Sequence, residues 1–206
     1  MTDNLWHFIS AGVLLGLTSG LSPGPLLTLV LTQTIRHNRA EGIKVALSPL
    51  ITDFPIILIT MLIMGRLAKF NIFLAIISFI GAIFLAYLGV ESLRARELSF
   101  DLQDSKSGSL KKGIIANFLN PSPYLFWATV GTPLLFKAYK IDLLNAILFM
   151  ISFYAFLIGS KIVVAFLVDR TKQFINQRIY LVLMRILGIA LLLFSLIFLY
   201  DGFKYL

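Results

Sequence analysis

Asp53 is the one charged side chain between Val45 and Gly65, and prolines flank it at Pro49 and Pro55. A carboxylate set in that much apolar sequence can hold a cation or a proton and little else. At bilayer depth an acid costs roughly 2.5–3.5 kcal/mol to insert, so it marks a candidate functional site. Lys161, after Gly159 and Ser160, is the only charge between Leu143 and Val168. Two readings of it stay open: it snorkels to the interface, or it pairs with Asp53 until cargo or a proton arrives. Two proline motifs complete the set. Ser22-Pro23-Gly24-Pro25 and Asn120-Pro121-Ser122-Pro123 share a Pro-x-Pro spacing and lie 98 residues apart. Two prolines so close should break a helix. Each helix that resumes, at Leu26 and at Tyr124, is expected to aim free N–H groups and a positive dipole end at the break, which suits a carboxylate. With Asp53 available for an ammonium group, Pro23, Gly24, Pro25, Asn120, Pro121, Pro123 and Lys161 make a candidate site for a zwitterion. The alternative, that both motifs are loop corners in surface water, stays open at this point.

Other chemistry is thinly supplied. The chain has no Cys and two isolated histidines, His7 and His37. Disulfides, thiol redox chemistry, a transition-metal site and any cofactor are therefore not expected. No nucleophile stands beside a base, so the chain does not read as an enzyme. Thr28, Thr32, Gln33 and Asn117 are weaker candidates for a polar path, since small polar residues often only join helices. Gly81, Gly89 and Gly188 read as close-packing positions.

These residues need a membrane to matter, and the composition supplies one. Of 206 residues 58% are hydrophobic and only 14% charged, with a mean hydropathy of +0.90. Soluble domains sit near 45–50% apolar. Charges cluster and leave long stretches with none, 4–35, 70–90 and 113–136, or with a single one, 45–65 (Asp53), 143–168 (Lys161) and 179–200 (Arg185). About 20 apolar residues cross the roughly 30 Å hydrocarbon core as a helix. The fold expected is an all-α integral membrane protein of six transmembrane helices in contact with lipid. The runs are continuous, which argues against a β-barrel. The start lacks the basic flank of a cleavable signal.

Glu91 to Lys112 is the one long polar connection, which divides the chain into 1–92, a linker at 93–112, and 113–206. Three spans per half force the second half to run upside down, the plan of two inverted repeats with a site between them. Lys and Arg on alternate sides number eleven (Arg36, Arg39, Lys44, Arg94, Arg96, Lys106, Lys111, Lys112, Arg170, Lys172, Arg178) against five (Arg66, Lys69, Lys137, Lys140, Lys204). The positive-inside rule then predicts cytoplasmic first, third and fifth loops, with both termini outside the cytoplasmic (inner) membrane. The net charge of +8 fits that bias and anionic lipid better than nucleic acid. Trp6, Tyr139, Tyr200 and Tyr205 fit interfacial anchors, and Arg185 is expected to snorkel.

At these residues the chain resembles the LysE/RhtB family of amino-acid exporters. The matching stretches are Gly20 to Pro25, Arg36 to Gly42, Asp53, Phe84 to Gly89 with Leu93-Arg94, and Asn117 to Pro121 followed by Leu125-Phe126-Trp127. They occur in the family's order across nearly the whole chain. The resemblance implies a six-helix secondary transporter for amino acids or derivatives, driven by the proton gradient. Ser122 stands where the family often has Lys, and Asn38 where it usually has Gly. The first change removes a charge beside the expected site, so the family's cargo does not carry over.

The function expected is export of amino acids or similar small zwitterions by proton antiport, as a monomer or a homodimer. The competing reading is a helical membrane scaffold or accessory subunit, with Asp53 in an interface.

Overall fold

The computed structural model describes residues 2–64, 67–94, 108–171, 174 and 176–206. Arg66, Arg96, Lys106 and Lys172, and most of the expected 93–112 linker, lie outside them. Among the described residues there is helix and no strand. In order they are α1 (Thr2–Leu21), α2 (Pro25–Arg36), α3 (Arg39–Ala46), α4 (Ser48–Met64) and α5 (Leu67–Leu93). After the linker come α6 (Ser109–Phe118), α7 (Pro121–Phe126), a π-helical turn (Trp127–Gly131), α8 (Thr132–Ile141), α9 (Leu143–Thr171) and α10 (Gln177–Tyr205).

Four helical stretches are long and apolar enough to cross a membrane: Arg39–Leu62, Asn71–Leu93, Leu143–Thr171 and Gln177–Tyr205. A fifth arises if α1 and α2, which meet at 62°, count as one bent span. The fourth expected stretch, Gly113 to Phe136, is divided among α6, α7, the π turn and α8, so no single helix there reaches spanning length. Both proline motifs interrupt helices where expected, as short breaks between consecutive helices. The exterior suits hydrocarbon: Ile83 is 72% exposed and Leu196 62%.

Glycine decides which helices touch. Gly12, Gly16 and Gly20 recur every fourth residue on one face of α1, against α9. A Cβ at Gly12 would meet Ser152 Oγ and lie 2.7 Å from Phe149 O; one at Gly20 would meet Ser160 Oγ and lie 2.8 Å from Leu157 O. The two backbones therefore approach more closely than any side chain permits. In the same way Gly89 of α5 faces Gly188 of α10, where a Cβ on either would lie within 3.0 Å of the other's carbonyl oxygen. Ser195 Oγ adds a 2.8 Å bond to Ala82 O across that pair.

Asn38, the departure in the basic loop, has a local explanation. It N-caps α3, its side chain accepting from Glu41 N at 3.2 Å, and capping favours Asn. At the same end of the molecule Glu91 of α5 accepts from Arg36 of α2 at 2.6 Å and from Lys112 of α6 at 2.9 Å. Ser109 Oγ donates to Gln33 Oε1 at 2.9 Å in a buried setting. These contacts pin three helices together between the two breaks and the Arg36 end.

Candidate functional site

Each break leaves backbone groups that lipid cannot satisfy. At the first, α1 ends at Leu21 with its last carbonyls unpaired within the helix. Lys161 of α9 donates to two of them, Gly20 O at 2.9 Å and Ser19 O at 3.3 Å. Across the gap, Gly24 O takes both Thr28 N at 3.0 Å and Thr28 Oγ1 at 2.9 Å. At the second break, Tyr124 Oη donates to Phe118 O at 2.9 Å. Asn120 N-caps α7 by accepting from Ser122 N at 3.0 Å.

The two breaks line one cavity of about 210 Å³, together with Asp53, Lys161, Asn117, Trp127 and Phe153. Of the residues expected to form a site, Asp53, Gly24, Pro25, Asn120, Pro123 and Lys161 all border it. Pro23 and Pro121 do not line it and act one step back, through the breaks they impose. Asp53 is 4% exposed and Lys161 3%. A carboxyl and an amino group thus face one cavity, with opposite charges that balance when both are ionised.

Asp53 is held from several sides. Asn117 spends its amide on two neighbours, Thr52 Oγ1 at 2.6 Å and Asp53 Oδ1 at 3.2 Å. Tyr154 Oη donates to Asp53 Oδ2 at 3.2 Å, and the Trp127 side chain interacts with the same carboxylate. Lys161 is too buried to snorkel. No contact ion pair joins it to Asp53 among the described residues, although the Asp53 charge acts on it. Its ammonium group instead occupies the negative end of α1, where a cation is stabilised.

The two resuming helices are not equivalent. In α2 the first-turn N–H groups of Leu26 and Leu27 have no intrahelical partner, and both residues border the cavity. In α7 prolines take two of the first three positions and Asn120 consumes the N–H of Ser122. The symmetrical pair of anion-binding ends expected from the repeated motif is therefore one-sided. Proline supplied the break and at the same time removed the donors.

Tyr154 and Phe153 were not singled out in the sequence, and Phe126 and Trp127 entered only as part of the stretch that carries the family resemblance. They lie in runs of aromatic and apolar residues with no polar face to orient them. Apart from that resemblance, a usable signal was Gly131, four residues after Trp127. A Cβ there would meet the Trp127 ring, in the turn that winds as a π-helix (Trp127–Gly131). Such turns are frequent at functional sites. Gln33 and Thr32, weaker candidates for a polar path, are buried away from the cavity, Gln33 bonded to Ser109 and Thr32 to Thr28 O. Asn117 belongs to the site outright. Among the described residues no cluster of His, Cys, Asp and Glu could hold a metal ion.

The model of the LysE type translocator family matches residues 17–202. That range takes in both breaks, Asp53 and Lys161. No curated protein and no solved structure gives a match to the chain.

Proposed function

The chain belongs to the LysE type translocator family, a multi-pass membrane protein of the amino-acid exporter kind, and from there we propose how it works. It exports amino acids or similar small zwitterions across the cytoplasmic membrane in exchange for protons. Six spans in two inverted halves, 1–92 and 113–206 about the linker 93–112, rock around the central cavity. The eleven-to-five bias of Lys and Arg supports cytoplasmic first, third and fifth loops, with both termini outside.

One observation carries the reading: Asp53 and Lys161 are buried at a single cavity bounded by both helix breaks. Cargo places its ammonium group on Asp53 and its carboxylate on Lys161 and the α2 end. An ionised Asp53 can receive an ammonium group; a protonated one cannot. Cargo and proton therefore exclude each other, which is the requirement for antiport. When the carboxylate takes Lys161, the ammonium group loosens its hold on Ser19 and Gly20, and the bend between α1 and α2 is freed to move. Binding at one end of the cavity is thereby converted into motion of a helix.

The test is efflux from proteoliposomes loaded with labelled amino acids under an imposed pH gradient. Wild type is expected to respond to the gradient. Asp53→Asn, folded to the same yield, should lose at least about 100-fold of the stimulated rate, as expected when a buried charge contact is left half-made. Normal gradient-driven efflux by that variant would end the proposal.

A further inference from the structure

The cavity has an aromatic wall, of which the zwitterion reading uses only the contact of Trp127 with Asp53. Phe126, Trp127 and Phe153 border it, and each ring touches the other two. Phe126 stacks on Phe153 at 5.3 Å with 9° between planes. Trp127 meets Phe126 edge-on at 5.4 Å and Phe153 at 5.6 Å. Leu26, Leu27 and Leu157 add aliphatic surface to the same space. Such mutual packing fixes the rings, because aromatic pairs gain about 0.5–1.5 kcal/mol beyond area burial. Trp127 is held further by its π-helical turn, whose Gly131 leaves room for the indole.

Charge counting narrows what this wall can accept. Among the described residues Asp53 and Lys161 are the only ionisable side chains that border the cavity, and a bound zwitterion engages both. A third charge, on the cargo's own side chain, would find no partner. A cationic side chain would also share the space with Lys161 and the cargo's ammonium group, three cations against two carboxylates, Asp53 and the cargo's own. Leaving a charge unpaired in such a place costs several kcal/mol. The volume points the same way. About 210 Å³ falls below the roughly 300–1,000 Å³ of sites for drug-sized ligands, which suits a single amino acid and not a peptide.

We infer that Phe126, Trp127 and Phe153 are specificity-determining residues, and that they select single amino acids with uncharged, apolar side chains over basic or acidic ones. This rests on reading the cavity as the cargo site.

The chain contains two tryptophans, and Trp6 is 70% exposed, so Trp6→Phe leaves Trp127 as sole reporter. Leucine titrated into that purified variant should change the indole emission saturably, at concentrations at least about tenfold below those needed for lysine or glutamate. Proteoliposomes loaded with all three should release leucine fastest by a similar factor. Trp127→Leu should shrink that preference. Should it fail to fold, Phe153→Leu tests the same wall. Lysine or glutamate equalling leucine in flux would overturn the selection and leave the exporter standing. Leucine flux without a change in emission would overturn the role of Trp127. If the folded protein moved none of the three, the exporter reading would fall, and the selection with it.

Discussion

Both oxygens of Asp53 are met from the second half of the chain, Oδ1 by Asn117 and Oδ2 by Tyr154, although Asp53 belongs to the first. Any movement between the halves must alter how this carboxylate is held. Lys161 makes the reverse connection, from α9 to the end of α1. Lys161→Met keeps most of the volume and removes the donor. The buried carbonyl of Gly20 and the part-buried one of Ser19 then lose their cap, at about 1–3 kcal/mol, so the thermal midpoint in detergent should fall together with efflux. An unchanged midpoint would mean that the cap contributes nothing to the fold. Asp53 and Lys161 were legible as candidates because a lone charge in an apolar run is costly and must find a partner or reach the interface. The partner of Lys161 was not legible, since it is a backbone end. No side-chain pattern announces which helix terminus will lie beside a lysine 141 residues away.

At the scale of the helix, glycine serves two different purposes, and two substitutions separate them. Gly16 packs α1 on α9, where a Cβ would lie 3.1 Å from Phe156 Cβ and nearly on Phe153 O. Gly16→Leu should cost at least about 1–3 kcal/mol by overpacking, read as a lower thermal midpoint. Gly24 differs. Its φ of −169° is ordinary extended backbone, and a Cβ would meet nothing nearer than Ser22 O at 3.9 Å. Gly24→Ala should therefore leave stability within about 0.5 kcal/mol and weaken cargo binding, because its methyl group enters the cavity. A stability loss equal to that of Gly16→Leu would refute this division. The breaks themselves were readable from Pro-x-Pro. The one-sidedness of their anion-binding ends followed from the same prolines and was overlooked in favour of the dipole. The inward aromatic residues of α9 and the π turn could not be read, because they lie among aromatic and apolar neighbours that point every way round the helix.

For the molecule as a whole, the Arg36 end is closed. Glu91 ties α2 to α6 through Arg36 and Lys112, and Leu29, between the cavity and Arg36 along α2, is 1% exposed. Glu91→Gln removes the charge that both cations share. The chain has no cysteine, so Leu29→Cys introduces a single reporter. A water-soluble maleimide should label it roughly tenfold faster with Glu91→Gln, the shift expected from about 1.4 kcal/mol of lost pairing. Equal labelling would show that packing alone closes this end. The helical membrane character was plain from the gaps between charges. The division of the fourth stretch into α6, α7, the π turn and α8 was not, because hydropathy is blind to a break that leaves composition unchanged.

Proton release on cargo binding tests the central claim most directly, that cargo and proton compete for Asp53. Purified protein in weakly buffered detergent should acidify the solution when leucine is added, approaching one proton per leucine bound as the starting pH is lowered and Asp53 begins protonated. Asp53→Asn should release none. Leucine binding without acidification at any pH, or the same release from Asp53→Asn, would contradict the account.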